Sequence, residues 1–398
     1  MMNLKDFKGF LKTKLSHQQI NMLRFAKETL KKPTQIKREF NTYQYNKSKL
    51  RVTEINHVPP VFCAVIVDSC NLRCPNCLFI LENPNKFFNS HLTSEQFEDT
   101  LKKYNKDMTA EVMFLSGGEP LIHPEFEKLV KISRKYKMSP KVSTNGILIM
   151  NNPEALLDLD YVNVSMDSYD YDTFKKYRGG TKRQFDRILE GLNFLSENKI
   201  NFGLSYVLSA ENAFEIEKMI EFSERHKPTF AYFHNINPHG SNEFKPLFSH
   251  DKKSMKHLTK VLDRNDYTID IHTTHIFNEK SPHFKEAKCI QPWYYFCFNS
   301  KGAVSVCCHM EHDDKFGNIF KNYDFNSTEM VKWRKKIMSD KIPDICLHCQ
   351  RRFLDEQEFS YFDSAKKKWI VSRDGDSIIR SLQQIFIDNQ ANSTHIHH

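Results

Sequence analysis

The sequence predicts an α/β fold with a parallel sheet, either doubly wound or curved into a partial barrel, on three observations. From residue 58 to about 234, six strand-like segments alternate with helical segments, which implies parallel strands joined by helical crossovers. The apolar run 61–67 is short, β-branched and non-alternating, as expected of a strand buried on both faces. Chemically versatile residues follow five of the six strands, and barrel enzymes place their chemistry at that end.

The elements follow in order along the chain. The predicted strands are 61–67, 111–115, 141–144, 161–166, 202–208 and 230–234. The predicted helices are 93–104, one with Pro124 in its first turn, 153–157, a long stretch ending near 198, and 211–226. Each strand except the last is therefore followed by a helical crossover, and the sixth strand closes the pattern.

Length and composition describe a soluble globular protein. The chain has 398 residues, 39% hydrophobic and 27% charged, which is enough for two or three structural units. No apolar stretch approaches the roughly 18 residues of a membrane-spanning helix. The N-terminus lacks the apolar core of a secretory signal, so we expect a cytoplasmic protein. Ten cysteines in that compartment indicate metal ligation before disulfides.

The positive charge is concentrated at the N-terminus. Residues 1–56 contain 13 Lys or Arg and four Asp or Glu, an excess equal to the +9 of the whole chain. The rest is nearly neutral, so we expect no nucleic acid partner. Residues 1–57 predict two basic amphipathic helices, whose apolar stripe either packs on the domain behind it or rests on an anionic membrane surface. The protein is then cytoplasmic, with possible peripheral contact at the inner membrane face.

Three cysteines follow the first strand in C-x3-C-x2-C spacing: Cys70, Cys74 and Cys77. Three thiolates on one short loop can hold three corners of an iron–sulfur cube and leave the fourth iron open for chemistry. A zinc knuckle is the structural alternative, because short cysteine motifs are prone to false matches.

Further motifs end the later strands. Gly117-Gly118-Glu119-Pro120 follows the second strand, Ser-Thr-Asn-Gly (143–146) ends the third, and Val-Ser-Met-Asp-Ser (164–168) ends the fourth. Together with Cys-Asn-Leu-Arg-Cys-Pro-Asn-Cys (70–77), these motifs resemble the core motifs of the radical S-adenosylmethionine (SAM) superfamily, in order, over residues 58–240. The residue before the third cysteine is often aromatic in that family, whereas here it is Asn76.

The resemblance implies a partial (β/α)6 TIM-like barrel, a 4Fe-4S cluster on Cys70, Cys74 and Cys77, and S-adenosyl-L-methionine bound at the open iron. It further implies cleavage of the sulfonium to a 5′-deoxyadenosyl radical, with an electron from a flavodoxin or ferredoxin-type donor. Close backbone approach at the glycines and a charge-assisted bond from the methionine ammonium to Glu119 suit this ligand. The residues implied to bind it are Gly117, Gly118, Glu119, Ser143, Asn145, Ser165, Asp167 and Arg178. For Arg178 a solvated helix charge is an equal alternative.

A second cysteine group occupies residues 289–349. Its order, Cys289…Pro-Trp…Gly-x4-Cys-Cys…Gly-Asn…Trp…Arg…Cys-x2-Cys, resembles the SPASM or twitch auxiliary-cluster domain of many radical enzymes. The resemblance implies a second, auxiliary 4Fe-4S cluster on four cysteines: Cys289, Cys307, Cys346 and Cys349. A zinc site on the same ligands is the alternative. Cys308 could replace Cys307 or donate a hydrogen. Cys63 and Cys297 lie in strand patterns and are predicted core residues.

The predicted organisation is an α/β barrel followed by a small iron–sulfur domain made of a β-hairpin and a helix. The boundaries are 1–57 for the basic extension, 58–264 for the barrel, 265–355 for the auxiliary domain and 356–398 for a C-terminal amphipathic helix and tail. The hairpin is predicted from 294–299 and 303–306. His309, His312 and His348, near turns, are interpreted as solvated.

The predicted function is hydrogen abstraction from a small polar, sugar-like or aminocyclitol-like metabolite, with the auxiliary cluster as electron acceptor. Four residues at the end of the sixth strand could face this substrate: His234, Asn235, Asn237 and His239. Cross-linking or epimerisation of a ribosomal peptide is the alternative within the enzymes. A non-catalytic zinc scaffold that docks through its basic N-terminus is the alternative of another class.

Overall fold

A computed structural model shows an eleven-stranded sheet that is parallel over its eight central strands. It describes residues 52–77, 79, 90–105, 111–115, 117–237, 244–262, 264–273, 289–310, 312–349 and 359–372. The strand order is β11-β10-β7-β6-β5-β4-β3-β2-β1-β8-β9. Only the pairs β8–β9, β7–β10 and β10–β11 are antiparallel among the named strands. The sheet with its helical crossovers fits the predicted partial TIM-like barrel.

The elements have the following bounds. The strands are β1 Val61–Val65, β2 Glu111–Leu115, β3 Ser139–Thr144, β4 Tyr161–Ser165, β5 Phe202–Leu208, β6 Phe230–Asn235, β7 Asp270–Thr273, β8 Tyr295–Asn299, β9 Val304–Ser305, β10 Phe359–Asp363 and β11 Lys368–Ser372. The α-helices are α1 Ser94–Tyr104, α2 Phe126–Lys135, α3 Pro153–Leu157, α4 Tyr171–Arg178, α5 Lys182–Glu197, α6 Ile216–His226, α7 Lys252–Leu262, α8 Gln291–Tyr294 and α9 Thr328–Met338.

All six predicted barrel strands are present and parallel in sequence order. The stretch predicted as helical up to residue 198 is two helices, because Gly179 takes a left-handed φ of 66° and ends α4. A Cβ on Gly179 would also lie 2.7 Å from the carbonyl oxygen of Arg73 in the first cysteine loop. The helix expected to include Pro124 begins two residues later, at Phe126.

The sheet extends beyond the barrel at both edges. The predicted auxiliary hairpin is confirmed as β8–β9, and β8 pairs in parallel with β1 in the register Val61↔Tyr295. At the other edge β7 and the hairpin β10–β11 were not predicted. The N-terminal helices expected in residues 1–51 and the helix expected around 378–386 lie outside the described residues. The domain boundaries stay predictions.

One large apolar cluster packs the helices against the sheet and extends into the auxiliary segment. Tyr104 of α1 is packed edge-on to Phe296 of β8 at 5.5 Å, and its hydroxyl donates to the carbonyl of Ile319. The barrel and the auxiliary segment therefore share aromatic core surface, which fixes their relative position. Among the described helices, none is long and apolar enough to cross a membrane.

Candidate active site

A cavity of about 310 Å³ opens at the C-terminal ends of the barrel strands. It brings together most of the residues that the sequence singles out: Cys70, Cys74, Cys77, Gly118, Glu119, Ser143, Asn145, Ser165, Asp167, Arg178, His234, Asn235 and Asn237. Asn76, the unusual residue of the cysteine loop, lines it as well. Motifs spread over more than 160 residues of chain therefore share one cavity.

The first cysteine loop is organised by backbone hydrogen bonds. The amide of Cys77 donates to the carbonyl of Cys74 at 3.1 Å, which closes the Cys-x2-Cys turn. Burial raises the pKa of Cys70 and raises that of Cys74 to about 11, while the guanidinium of Arg178 acts to lower both. Iron binding has to displace these protons, and the nearby cation favours the thiolates that bind iron.

Glu119 joins the cysteine loop to the end of β3. One carboxylate oxygen accepts from Thr144 Oγ1 at 2.6 Å and the other from the amide of Asn145 at 2.7 Å, while the amide of Glu119 donates to Ser69 O at 2.8 Å. The side chain is 2% exposed, and burial raises its pKa against the pull of these donors. Glu119 is thus a fixed support, with lone-pair capacity left for one more donor.

Asn145 connects the same strand end to the cysteines. Its Nδ2 donates to Asn71 Oδ1 at 2.7 Å and lies 3.8 Å from Cys70 Sγ. Below it, inside the barrel, Asn163 Nδ2 donates to Ser143 Oγ and to Ser205 Oγ, each at 3.1 Å. This ladder of polar side chains holds the Ser143 hydroxyl against the cavity wall.

Asp167 and Arg178 form a buried ion pair beside the cysteines. Arg178 Nη1 donates to Asp167 Oδ2 at 2.8 Å, and the side chains are 13% and 10% exposed. Asp167 adopts a left-handed φ of 51°, and its other oxygen accepts from the amide of Val207 at 2.7 Å. Burial acts to lower the pKa of Arg178, but the negative charges of Cys74 and Asp167 outweigh it and raise that pKa. The solvated alternative for Arg178 is therefore wrong.

The second cysteine group also comes together. The amide of Cys349 donates to the carbonyl of Cys346 at 3.3 Å, the same turn that links Cys74 and Cys77. Burial raises the pKa of Cys307 well above its usual value, and charge on Cys308, Cys349 and Cys346 adds to the effect, which places Cys307 near both members of that turn. Cys289 packs in the apolar cluster that Cys346 also contacts.

Cys308 packs against a different apolar cluster from Cys307. It packs against the cluster formed by Val61, Cys63 and Cys297 on the barrel side of the hairpin. Cys63 and Cys297 are register partners on β1 and β8, each 1% exposed, so their prediction as core residues is confirmed. A hydrogen bond with Cys63 is the largest cause that raises the pKa of Cys297, ahead of burial. This placement favours Cys307 over Cys308 as the member of the second group.

The four residues predicted at the end of the sixth strand to face the substrate divide into three kinds. His234 and Asn237 line the cavity, whereas His239 lies outside the described residues. Asn235 also borders the cavity, but its amide accepts from the backbone amide of Leu247 and donates to its carbonyl, so it shapes the wall.

His309, interpreted from sequence as solvated, lines the cavity as well. Its position directly after the Cys307-Cys308 pair was the available signal. Other lining residues that the sequence did not single out include Tyr177, Ser209, Asn212, Tyr232 and Phe244.

The donor sets fit iron–sulfur clusters. Within the described part of the chain, no three His, Cys, Asp or Glu side chains converge as a single metal ion would require. The thiolates of a 4Fe-4S cube bind different irons, so they surround a cluster without meeting at one point. The first group would supply three thiolates beside an open cavity, and the second would supply four.

Comparison with known proteins agrees with this site. The profile of the Radical SAM superfamily matches residues 65–223, which contain the first cysteine loop and its supporting strand ends. Residues 65–223 therefore form a radical SAM domain. The superfamily uses a 4Fe-4S cluster and S-adenosylmethionine, and the cavity offers the ligands for both.

Among curated proteins, this radical SAM chain is 28% identical over 221 residues to an Fe-coproporphyrin III synthase of Methanosarcina barkeri, covering 54% of this chain and 50% of that protein. It is 25% identical over 170 residues to a pre-heme d1 synthase of Dinoroseobacter shibae, covering 42% of this chain and 40% of that protein. The chain thus spans about half the length of the curated relatives it matches.

Among solved structures, Streptococcus suis SuiB bound to precursor peptide SuiA superimposes with a TM-score of 0.58 at 14% identity, covering 78% of this chain and 74% of that one. The structure of anSMEcpe with bound AdoMet superimposes with a TM-score of 0.55 at 19% identity, covering 85% and 95%. At these identities the likeness shows the fold, and the substrate is a separate question.

Proposed function

We propose that this chain is a two-cluster radical SAM enzyme that removes a hydrogen atom from a small polar substrate. The observation that carries the proposal is the shared cavity, in which three cysteines meet Glu119, Asn145 and the Asp167–Arg178 pair. The cluster, when bound there, supplies the electron that cleaves S-adenosylmethionine to methionine and a 5′-deoxyadenosyl radical.

The chain's own residues would bind and orient the S-adenosylmethionine. The free lone-pair capacity of Glu119 suits the methionine ammonium, and Arg178 offers a buried cation to the carboxylate. The Ser143 hydroxyl and the Asn145 amide are placed for the remaining polar groups. The aromatic rings of Tyr177 and Phe244, whose centroids lie 5.7 Å apart, would keep water from the reactive carbon.

The remaining polar lining of the cavity supports a polar substrate. It contains Ser209, Tyr232, His234 and His309, all able to hydrogen-bond hydroxyl or amino groups. A second cluster on Cys289, Cys307, Cys346 and Cys349 would accept one electron from the substrate radical after hydrogen abstraction. With release of one proton to solvent, the substrate would then lose two hydrogens in total. The names of the curated relatives, synthases of Fe-coproporphyrin III and pre-heme d1, agree with a small-molecule substrate.

A peptide substrate is the second candidate. SuiB is described bound to the precursor peptide SuiA, and anSMEcpe is described with a peptide and AdoMet together. Incubation with candidate peptides, read by mass spectrometry for a two-dalton loss, would favour this candidate. The same loss on an amino-polyol or sugar would favour the small substrate.

The decisive experiment is anaerobic purification followed by reduction with dithionite in the presence of S-adenosylmethionine. We expect about eight irons per chain and release of 5′-deoxyadenosine. Cys70→Ala should abolish the release, whereas a double variant of Cys346→Ala and Cys349→Ala should keep it with about four irons. Cys63→Ala, a core cysteine outside both groups, is the matched control and should keep both iron and product. Two zincs and no 5′-deoxyadenosine would overturn the proposal.

We also propose that a flavodoxin or ferredoxin-type protein replaces dithionite in the cell, and that residues 1–51 are the site of any peripheral membrane contact. Purified flavodoxin with its reductase should support 5′-deoxyadenosine release, and failure to do so would contradict the first idea. Co-sedimentation with anionic liposomes that persists after deletion of residues 1–32 would contradict the second.

A further inference from the structure

Asn237 lies on the wall between the cavity and the second cysteine group and reaches both. It follows the end of β6 and lines the cavity with His234 and His309. Its Nδ2 lies 3.8 Å from Cys349 Sγ, within the range of an N–H···S hydrogen bond. A cluster-bound thiolate only accepts, so the nitrogen end of the amide is the end that must face the sulfur.

The rest of the Asn237 side chain is not used to fold the loop. Its Oδ1 is buried and has no hydrogen-bond partner among the described residues. Asn235, two positions earlier, is the opposite case, because both ends of its amide are bonded to the backbone of Leu247. The described contact that orients Asn237 is therefore the one with the cysteine.

The same contact occurs at the first cysteine group. Asn145 Nδ2 lies 3.8 Å from Cys70 Sγ, so one cavity-lining amide touches a sulfur of each group. Hydrogen bonds to the sulfurs are among the factors that set the reduction potential of an iron–sulfur cluster. A donor stabilises the more negative, reduced form, so its presence raises the potential.

We propose that Asn237 is a positioning residue that hydrogen-bonds Cys349 and raises the reduction potential of the auxiliary cluster from the wall of the substrate cavity. The inference rests on the proposed function in one respect, because it requires a cluster on the second cysteine group. It does not depend on which substrate the enzyme takes. An electron acceptor tuned from the cavity wall would respond to what the cavity contains.

The test measures the auxiliary cluster by itself in the full-length chain. Cys70→Ala, Cys74→Ala and Cys77→Ala are combined to remove the first cluster, and the remaining cluster is titrated electrochemically and followed by electron paramagnetic resonance. Asn237→Leu removes the donor, Asn237→Asp is nearly isosteric and replaces the donor with a carboxylate, and Asn237→Gln keeps an amide. Asn198→Ala removes an exposed amide that caps α5 at the other end of the barrel and is the matched control.

At the potential that reduces half of the clusters in the triple-cysteine background, Asn237→Leu should lower the ratio of reduced to oxidised clusters by about fivefold, the effect of one hydrogen bond. Asn237→Asp should lower it further because it adds negative charge. Asn237→Gln should fall between Asn237→Leu and the background, and Asn198→Ala should match the background.

Three results would overturn the inference. If Asn237→Leu and Asn237→Asp both titrate like the background, Asn237 does not set the potential. A shift in Asn198→Ala as large as that in Asn237→Leu would show a non-specific effect. Should the triple-cysteine background hold no cluster at all, the proposed auxiliary site fails, and the inference fails with it. An unmoved potential in a loaded cluster refutes the inference alone.

Discussion

Gly118 offers a direct test of how the strand ends position the first cysteine loop. A Cβ on this residue would lie closest to the carbonyl oxygen of Ser69, the residue before Cys70, and 2.7 Å from both the backbone nitrogen and the carbonyl carbon of Ser69. Carbon atoms normally approach to about 3.5 Å, so the carbonyl carbon must retreat by roughly 0.8 Å and the carbonyl oxygen by more. Backbone atoms cannot rotate away as a side chain can. Gly118→Ala should therefore displace the cysteine loop itself.

The energetic cost follows from the contacts that are lost. The retreat of Ser69 breaks the 2.8 Å hydrogen bond that its carbonyl accepts from Glu119 N, at about 1 kcal/mol. Overpacking adds about 1–3 kcal/mol. The total of about 2–4 kcal/mol should lower the Tm of the metal-free protein by roughly 2–5 °C, since the entropy of unfolding scales with chain length. The displaced Cys70 should also reduce iron bound after anaerobic reconstitution.

Gly117→Ala is the matched comparison. Its Cβ would contact Cγ1 of Val65, which is a side-chain atom. Adding Val65→Ala to Gly117→Ala should therefore restore stability and iron binding. Gly118→Ala cannot be compensated in this way, because its Cβ would contact backbone atoms of Ser69. The assays are calorimetry of the metal-free chain and iron content of the reconstituted chain. A Gly118→Ala protein with wild-type Tm and iron would refute the reasoning.

Three further predictions concern buried charge. Arg178→Met should lower stability by about 3 kcal/mol and weaken S-adenosylmethionine binding in equilibrium dialysis, because it leaves Asp167 buried without its cation. Arg178→Lys should retain more of the stability and more of the binding. Unchanged stability in Arg178→Met would contradict this account. Burial lowers the pKa of His272 to about 4. Between pH ~6.5 and 4 the imidazole of the unfolded chain is therefore protonated while the buried imidazole of the folded chain is neutral. The free energy of unfolding of the metal-free protein should thus be constant above pH ~6.5 and fall by up to about 3 kcal/mol between pH 6.5 and 4. Chemical denaturation at several pH values should show that stability falls less steeply below pH ~6.5 in His272→Gln than in wild type. An identical loss of stability in the two proteins would contradict this role of His272. Arg334 is fully buried and donates to the carbonyls of Pro292 and Thr53 and to Asn326 Oδ1. Arg334→Met should therefore lower the free energy of unfolding by about 3 kcal/mol and speed proteolysis near residues 52–57. Cleavage at the wild-type rate would show that this arginine does not anchor that segment.

The sequence by itself determined the barrel and the identity of the chemical centre. Strand and helix periodicity are local properties, and the six barrel strands were found where the pattern predicted them. Parallel strands bring their C-terminal ends to one edge, so motifs after strands β1, β2, β3 and β4 had to meet once those strands were parallel. Cysteine spacing then indicated the metal chemistry.

The tertiary structure alone decided how those residues are paired. The parallel contact of β8 with β1 joins residues more than 230 positions apart, and no local pattern specifies such a partner. It was burial that made Arg178 an ion-pair partner of Asp167, and packing that placed Cys307 and Cys308 against different apolar clusters. His309 and Asn237 gained their places in the cavity wall in the same way, because the contact of a side chain across a fold depends on the whole path of the backbone.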